Sequence, residues 1–86
     1  MFQLLQNYPN PFNPTTDIEY DLPSKVRVSL KVYDVLGQEI ATLYSGQQDA
    51  GEHVVTFNGD RFASGVYFYR LQAGGYTSVK KMMLIK

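Results

Sequence analysis

Cysteine is absent from this chain, which removes two devices at once: a disulfide framework and a thiolate metal site. The core must hold without staples even if the protein is exported. Net charge is missing too. Eight basic and eight acidic side chains cancel over 86 residues, which argues against a broad electrostatic surface for nucleic acid. No apolar run approaches the roughly 20 residues that a helix needs to cross a bilayer, so no membrane span is expected. A basic leader followed by an apolar stretch and a cleavage site is also lacking. The chain is therefore expected to be a fragment of something longer, unable to direct its own export across an inner membrane.

Signatures of chemistry are equally scarce. His53 is the only histidine; on a strand its same-face neighbours are Val55 and Phe57, with no carboxylate or hydroxyl, so it reads as a core or boundary residue and not as a general base. There is no Gly-x-Ser-x-Gly elbow, no His-Glu-x-x-His pair and no phosphate-cradling glycine loop. No catalytic residue and no cofactor is assigned. Asp17, Glu19 and Asp21 share one strand face and could offer oxygen ligands to a hard cation. Side chains two apart on a strand stand parallel and about 7 Å apart, however, so a solvated face is the better reading and no metal site is assigned.

Proline is concentrated where it is most informative. Three of the four prolines fall in the run Asn7-Tyr8-Pro9-Asn10-Pro11-Phe12-Asn13-Pro14-Thr15-Thr16. Each fixes its own φ, lacks an N–H and pushes the residue before it toward extended geometry, so helix is excluded and a fully paired central strand is disfavoured. Residues 1–16 are read as an extended leader. Tyr8 and Phe12 are read as its ring anchors, with Pro9, Pro11 and Pro14 docking the segment onto a core.

After residue 16 the apolar residues alternate with a period of two and are separated by glycine turns. Ile18, Tyr20 and Leu22 alternate with Asp17, Glu19 and Asp21 until Pro23 and Ser24 break the strand. Val26, Val28, Leu30 and Val32 repeat the pattern. Asp34 to Gly37 makes a turn before a strand over Glu39 to Tyr44, and Ser45 to Gly51 reads as a polar connection. Strands over Glu52 to Phe57 and Val66 to Ala73 follow, and Gly74-Gly75 predicts a hairpin into Tyr76 to Ile85. About six or seven short strands with no helical period predict an all-β fold: one immunoglobulin-like antiparallel β-sandwich spanning residues 1–86. Such a length supports a single modest core that buries roughly 60 to 65 per cent of the unfolded surface.

The proline run, with Val32-Tyr33-Asp34-Val35-Leu36-Gly37-Gln38-Glu39-Ile40, Ala50-Gly51-Glu52-His53, Ala63-Ser64-Gly65-Val66-Tyr67-Phe68-Tyr69-Arg70-Leu71 and Lys80-Lys81-Met82-Met83-Leu84-Ile85-Lys86, resembles in order and spacing the C-terminal sorting domain carried by type IX secretion cargo. The resemblance covers Leu4 to Lys86. One departure is Phe57-Asn58-Gly59, where such domains often show Trp-Asp-Gly. The resemblance implies the same immunoglobulin-like architecture and a non-catalytic address label read by an outer-membrane translocon. It further implies a sortase that removes the label, a cargo domain N-terminal to this chain, and delivery via the periplasm to the surface of a diderm bacterium or to the medium. Recognition is expected at Lys80, Lys81, Met82, Leu84 and Lys86. Two other readings stand beside it: a self-assembling structural or adhesive subunit, hence a possible homo-oligomer, because an extended leader beside a sheet edge can add to a neighbour's sheet; and a small carbohydrate-binding appendage using Phe68 with Arg70 beside it.

Overall fold

The computed structural model describes residues 1–86. Seven strands follow one another: β1 (Gln3–Leu4), β2 (Thr15–Leu22), β3 (Val26–Tyr33), β4 (Glu39–Gln48), β5 (Gly51–Asn58), β6 (Gly65–Ala73) and β7 (Tyr76–Leu84). No helix forms, so none is present that could cross a membrane. All strand pairings are antiparallel, in a three-stranded sheet ordered β1-β2-β5 and a four-stranded sheet ordered β4-β3-β6-β7. This is the immunoglobulin-like sandwich that the alternation predicts.

Period two decides which side chains meet between the sheets. Ile18, Tyr20 and Leu22 of β2 face Val28, Leu30 and Val32 of β3 and Tyr67, Tyr69, Leu71 and Ala73 of β6, and all of them are buried in one continuous core. Phe57, Met82 and Leu84 close it toward one end, with Phe12 from the leader. Tyr67, near the start of β6, donates its hydroxyl to the carbonyl of Ala63 four residues upstream, at 2.6 Å. That local bond fixes the corner leading into β6, as in other sandwiches of this kind.

Two turns follow from their chemistry. Asp34 accepts the N–H groups of Leu36 and Gln38 on its side chain, and Gly37 takes a φ of +83°, which a side chain rarely adopts. Gly74-Gly75 forms the tight hairpin that the sequence predicts between β6 and β7.

The third strand's partner departs from expectation. β4 runs on to Gln48 instead of ending at Tyr44, because Ser45 to Gln48 pair with Val26 to Ser29. An edge strand needs only backbone partners on one side, so a polar tail does not end it. β4 also carries two register shifts, opposite Leu30/Lys31 and Val32/Tyr33, which bend it.

Candidate functional site

The last strand and the segment laid along it form the site. β7 pairs with β6 on one side, with Lys81 opposite Phe68 and Met83 opposite Val66. Its other side meets the leader. The Gln6 amide donates to the Lys81 carbonyl at 2.8 Å, and the Asn10 side-chain oxygen accepts the Met83 N–H at 3.0 Å. Phe12 then pairs in parallel beside Leu84, donating its N–H to Met83 and accepting that of Ile85, both at 2.9 Å. At its start the same leader pairs with β2, as β1 and again at Tyr8 opposite Asp17. It therefore crosses from one sheet to the other and covers an edge that β7 would leave open.

A buried polar knot fastens the crossing. Asn7 is 2% exposed. Its N–H donates to the Tyr69 hydroxyl at 2.8 Å, and that hydroxyl donates to the Leu5 carbonyl at 2.8 Å. The Asn7 amide donates to Thr16 Oγ1 at 2.9 Å and to the Pro9 carbonyl at 3.2 Å, while Thr16 also donates to Pro9 at 2.8 Å. Every buried side-chain polar atom has a partner, as a low-dielectric site requires. Burial pushes the Tyr69 phenol up to about 12, partly offset by the bond from Asn7.

Tyr8 corrects the reading of the leader. Its ring is 81% exposed and anchors nothing. Tyr8 and Asp17 exchange both backbone hydrogen bonds, at 3.0 and 2.9 Å, and directly opposed residues point to the same face. Asp17 faces water, so Tyr8 does too, and the inward position falls to Asn7. Phe12 is the ring that docks, edge-on to Phe57 at 6.0 Å between centroids. Pro9 and Pro11 lie exposed; Pro14 is half-buried, its carbonyl accepting the Gly59 N–H at 2.7 Å. The peptide bonds preceding all three are cis.

The tail residues divide by parity. Met82 and Leu84 belong to the core, whereas Lys81 and Lys86 are exposed and Lys80 is half-buried. The apolar tail side chains open to solvent are therefore Met83, which is 40% exposed, and Ile85, not Met82 and Leu84. Lys86 is held by Ser64, whose hydroxyl oxygen accepts its N–H at 3.0 Å, and its ammonium donates to the Asp60 carbonyl. Asn10, Pro11, Val66, Lys81, Met82 and Met83 line a shallow groove of about 210 Å³ here.

The His53 ring stacks on Tyr20 at 5.6 Å, with Nε2 2.8 Å from the Asp49 carbonyl. Asp17 accepts the Thr56 hydroxyl at 2.7 Å. Asp17, Glu19 and Asp21 stand in a row along β2, and no three metal-ligating side chains converge anywhere. Phe68 lies half-buried opposite Tyr33, over whose ring the Arg70 guanidinium sits at 5.0 Å. Glu39 is held below the usual carboxylate range by hydrogen bonds from Lys31 and Thr42. Gln6, Asn7, Asn10 and Tyr69 were not singled out by sequence reasoning. For the leader the available signal was its run of amide side chains, Gln6, Asn7 and Asn10, beside and between prolines that lack an N–H; for Tyr69 there was none.

Comparison with curated proteins gives no match. A family model described as the secretion system C-terminal sorting domain matches residues 6–86, spanning the proline run, β2 to β7 and the stitched tail. The chain belongs to that family, the sorting signals of type IX secretion.

Proposed function

We propose that the domain acts as a folded address label that carries a cargo protein, through an outer-membrane translocon, to the cell surface or the medium. The route runs by way of the periplasm, and a sortase removes the label afterwards. The observation that carries this reading is the family match across residues 6–86, joined to a last strand whose outer face presents Lys81 and Met83 beside the leader and which is followed by exposed Ile85 and Lys86. Recognition falls on that outward set together with Lys80. Met82 and Leu84 contribute by holding the strand flat against the core.

The test fuses residues 1–86 to an exported reporter in a bacterium that has the pathway. Deleting Lys80 to Lys86 is expected to leave the reporter in the periplasm. Because that deletion also removes two core side chains, a Lys81→Glu, Met83→Ser, Ile85→Ser, Lys86→Glu variant is assayed beside it. This variant is expected to fold and yet fail to deliver. Unchanged surface delivery by the folded variant would refute the role given to the tail.

A further inference from the structure

The domain is neutral, but its two sheets are not. Strands β1, β2 and β5 carry Asp17, Glu19, Asp21 and Glu52 and no lysine or arginine. Strands β3, β4, β6 and β7 carry Arg27, Lys31, Arg70, Lys80 and Lys81 against a single acid, Glu39. The acidic sheet ends at β5, and β5 pairs with β2 alone.

The open side of β5 follows from its register. Asp17 exchanges its backbone bonds with Tyr8, and Glu19 accepts from Leu5, so the odd residues of β2 bond toward the leader and the even ones toward β5. Their partners on β5 are His53, Val55 and Phe57. The backbone groups of Glu52, Val54 and Thr56 therefore point away from the sheet, and no turn or side chain bonds to them. Val54 itself is 59% exposed.

The other three edges are each protected. β7 is covered by Gln6, Asn10 and Phe12. β1 has two residues, and β4 is bent by two register shifts. β5 alone has eight residues in unbroken register, with no proline, no lysine and no bulge. Those are the devices by which natural sheets blunt an edge.

We propose that β5 is a second docking edge, which takes up an extended basic segment of another protein as an added strand. Backbone hydrogen bonds to Glu52, Val54 and Thr56 supply affinity, as in other strand-addition complexes. Charge selects the occupant. On the outer face the added strand lies next to Glu52 and about 10 Å from the carboxylates of β2. Long side chains can reach them across Val54 and Thr56, so lysine or arginine at alternate positions is required. A second copy of this chain offers no such match, because edge-to-edge pairing of two β5 strands would put both sets of four carboxylates on one face with no cation among them. This edge lies on the sheet opposite the tail strand, and the proposal stands apart from the sorting role.

The probe is a labelled peptide, Lys-Thr-Lys-Val-Lys-Val-Lys-Thr-Lys, titrated into the whole chain. Its expected signature is binding that weakens as salt rises, with amide shifts centred on Glu52, Val54 and Thr56. Val54→Pro removes an outward N–H that β2 does not use and is expected to weaken binding by about tenfold or more. The same loss is expected for a peptide N-methylated at alternate residues, and for a Glu19→Lys, Asp21→Lys variant, whose half-buried side chains lie on the outer face of β2 and outside the core. Equal binding of the N-methylated peptide, or of a peptide with glutamate in place of lysine, would overturn the proposal. So would no binding at all, or a concentration-dependent dimer of the chain that Val54→Pro abolishes.

Discussion

The Tyr69 hydroxyl lies between two backbone groups of the leader, accepting the N–H of Asn7 and donating to the carbonyl of Leu5, each at 2.8 Å. A residue at the centre of the four-stranded sheet thereby sets the path of a segment more than sixty positions earlier in the chain. Tyr69→Phe keeps the ring in place and removes the hydroxyl, leaving the buried Asn7 N–H and the part-buried Leu5 carbonyl without that partner. Such a loss costs about 1–3 kcal/mol for the buried donor. Urea unfolding is expected to show a lower midpoint with an unchanged slope, and amide exchange to quicken at Asn7. An unaltered midpoint would mean that water replaces the hydroxyl without penalty.

The same hydroxyl makes stability fall at high pH. Burial raises the Tyr69 phenol from its ordinary value of 10.0 to about 12, so the folded form keeps its proton where the unfolded chain has lost it. Between those two values the unfolded state binds fewer protons, and stability declines as pH rises. The contribution is whole below about pH 10 and is lost through about pH 12. Tyr20 is raised in the same direction, chiefly by burial, so Tyr69→Phe should lessen the alkaline decline without abolishing it. Urea midpoints taken across this range, with tyrosinate absorbance recorded alongside, provide the check. A variant whose decline matches the parent's would show that the phenol is not the source.

Neighbouring methionines of the tail should behave oppositely. Met82 is fully enclosed among core side chains, whereas Met83 lies on the outer face beside the leader's edge contacts. Met82→Ala removes buried atoms and leaves a cavity, at about 2–5 kcal/mol. Met83→Ala should change stability by no more than about 0.5 kcal/mol. Paired thermal melts distinguish them, and equal losses would contradict the parity of β7.

Much of the fold was legible because β2, β3, β6 and β7 each bury one face, and alternation is a direct record of that. Where burial does not constrain a strand, the sequence was silent. No residue of β4 is fully buried, so Ser45 to Gln48 read as a connection although their backbones are paired. β1 is too short to show a period. The leader misled for a different reason: Tyr8 carries the larger apolar surface, but the bridge to Asp17 fixes its direction, and only long-range pairing reveals it. At the site, composition marked the tail as basic and apolar. It could not say that Met82 and Leu84 point inward, or that Gln6 and Asn10 close the strand's free edge.

Gly59 joins the two halves of the site. It is buried, donates its N–H to the Pro14 carbonyl at 2.7 Å and accepts that of Phe62 at 2.9 Å. A Cβ at this position would stand 3.0 Å from a Leu84 methyl and 3.2 Å from the Phe12 ring. Both of those side chains are themselves enclosed, one closing the tail and the other docking the leader, so neither has free space to yield. This gives a physical reason for glycine at the third place of Phe57-Asn58-Gly59, where the aromatic at the first place fills the core beside Phe12. Gly59→Ala is expected to cost about 1–3 kcal/mol through overpacking. Its effect should be local, shifting the resonances of Phe12, Leu84 and Ile85 while those of β3 stay where they are. Phe12→Leu in the same background should restore part of the loss by giving the added methyl room, whereas strict additivity of the two changes would show that the contact is not the cause.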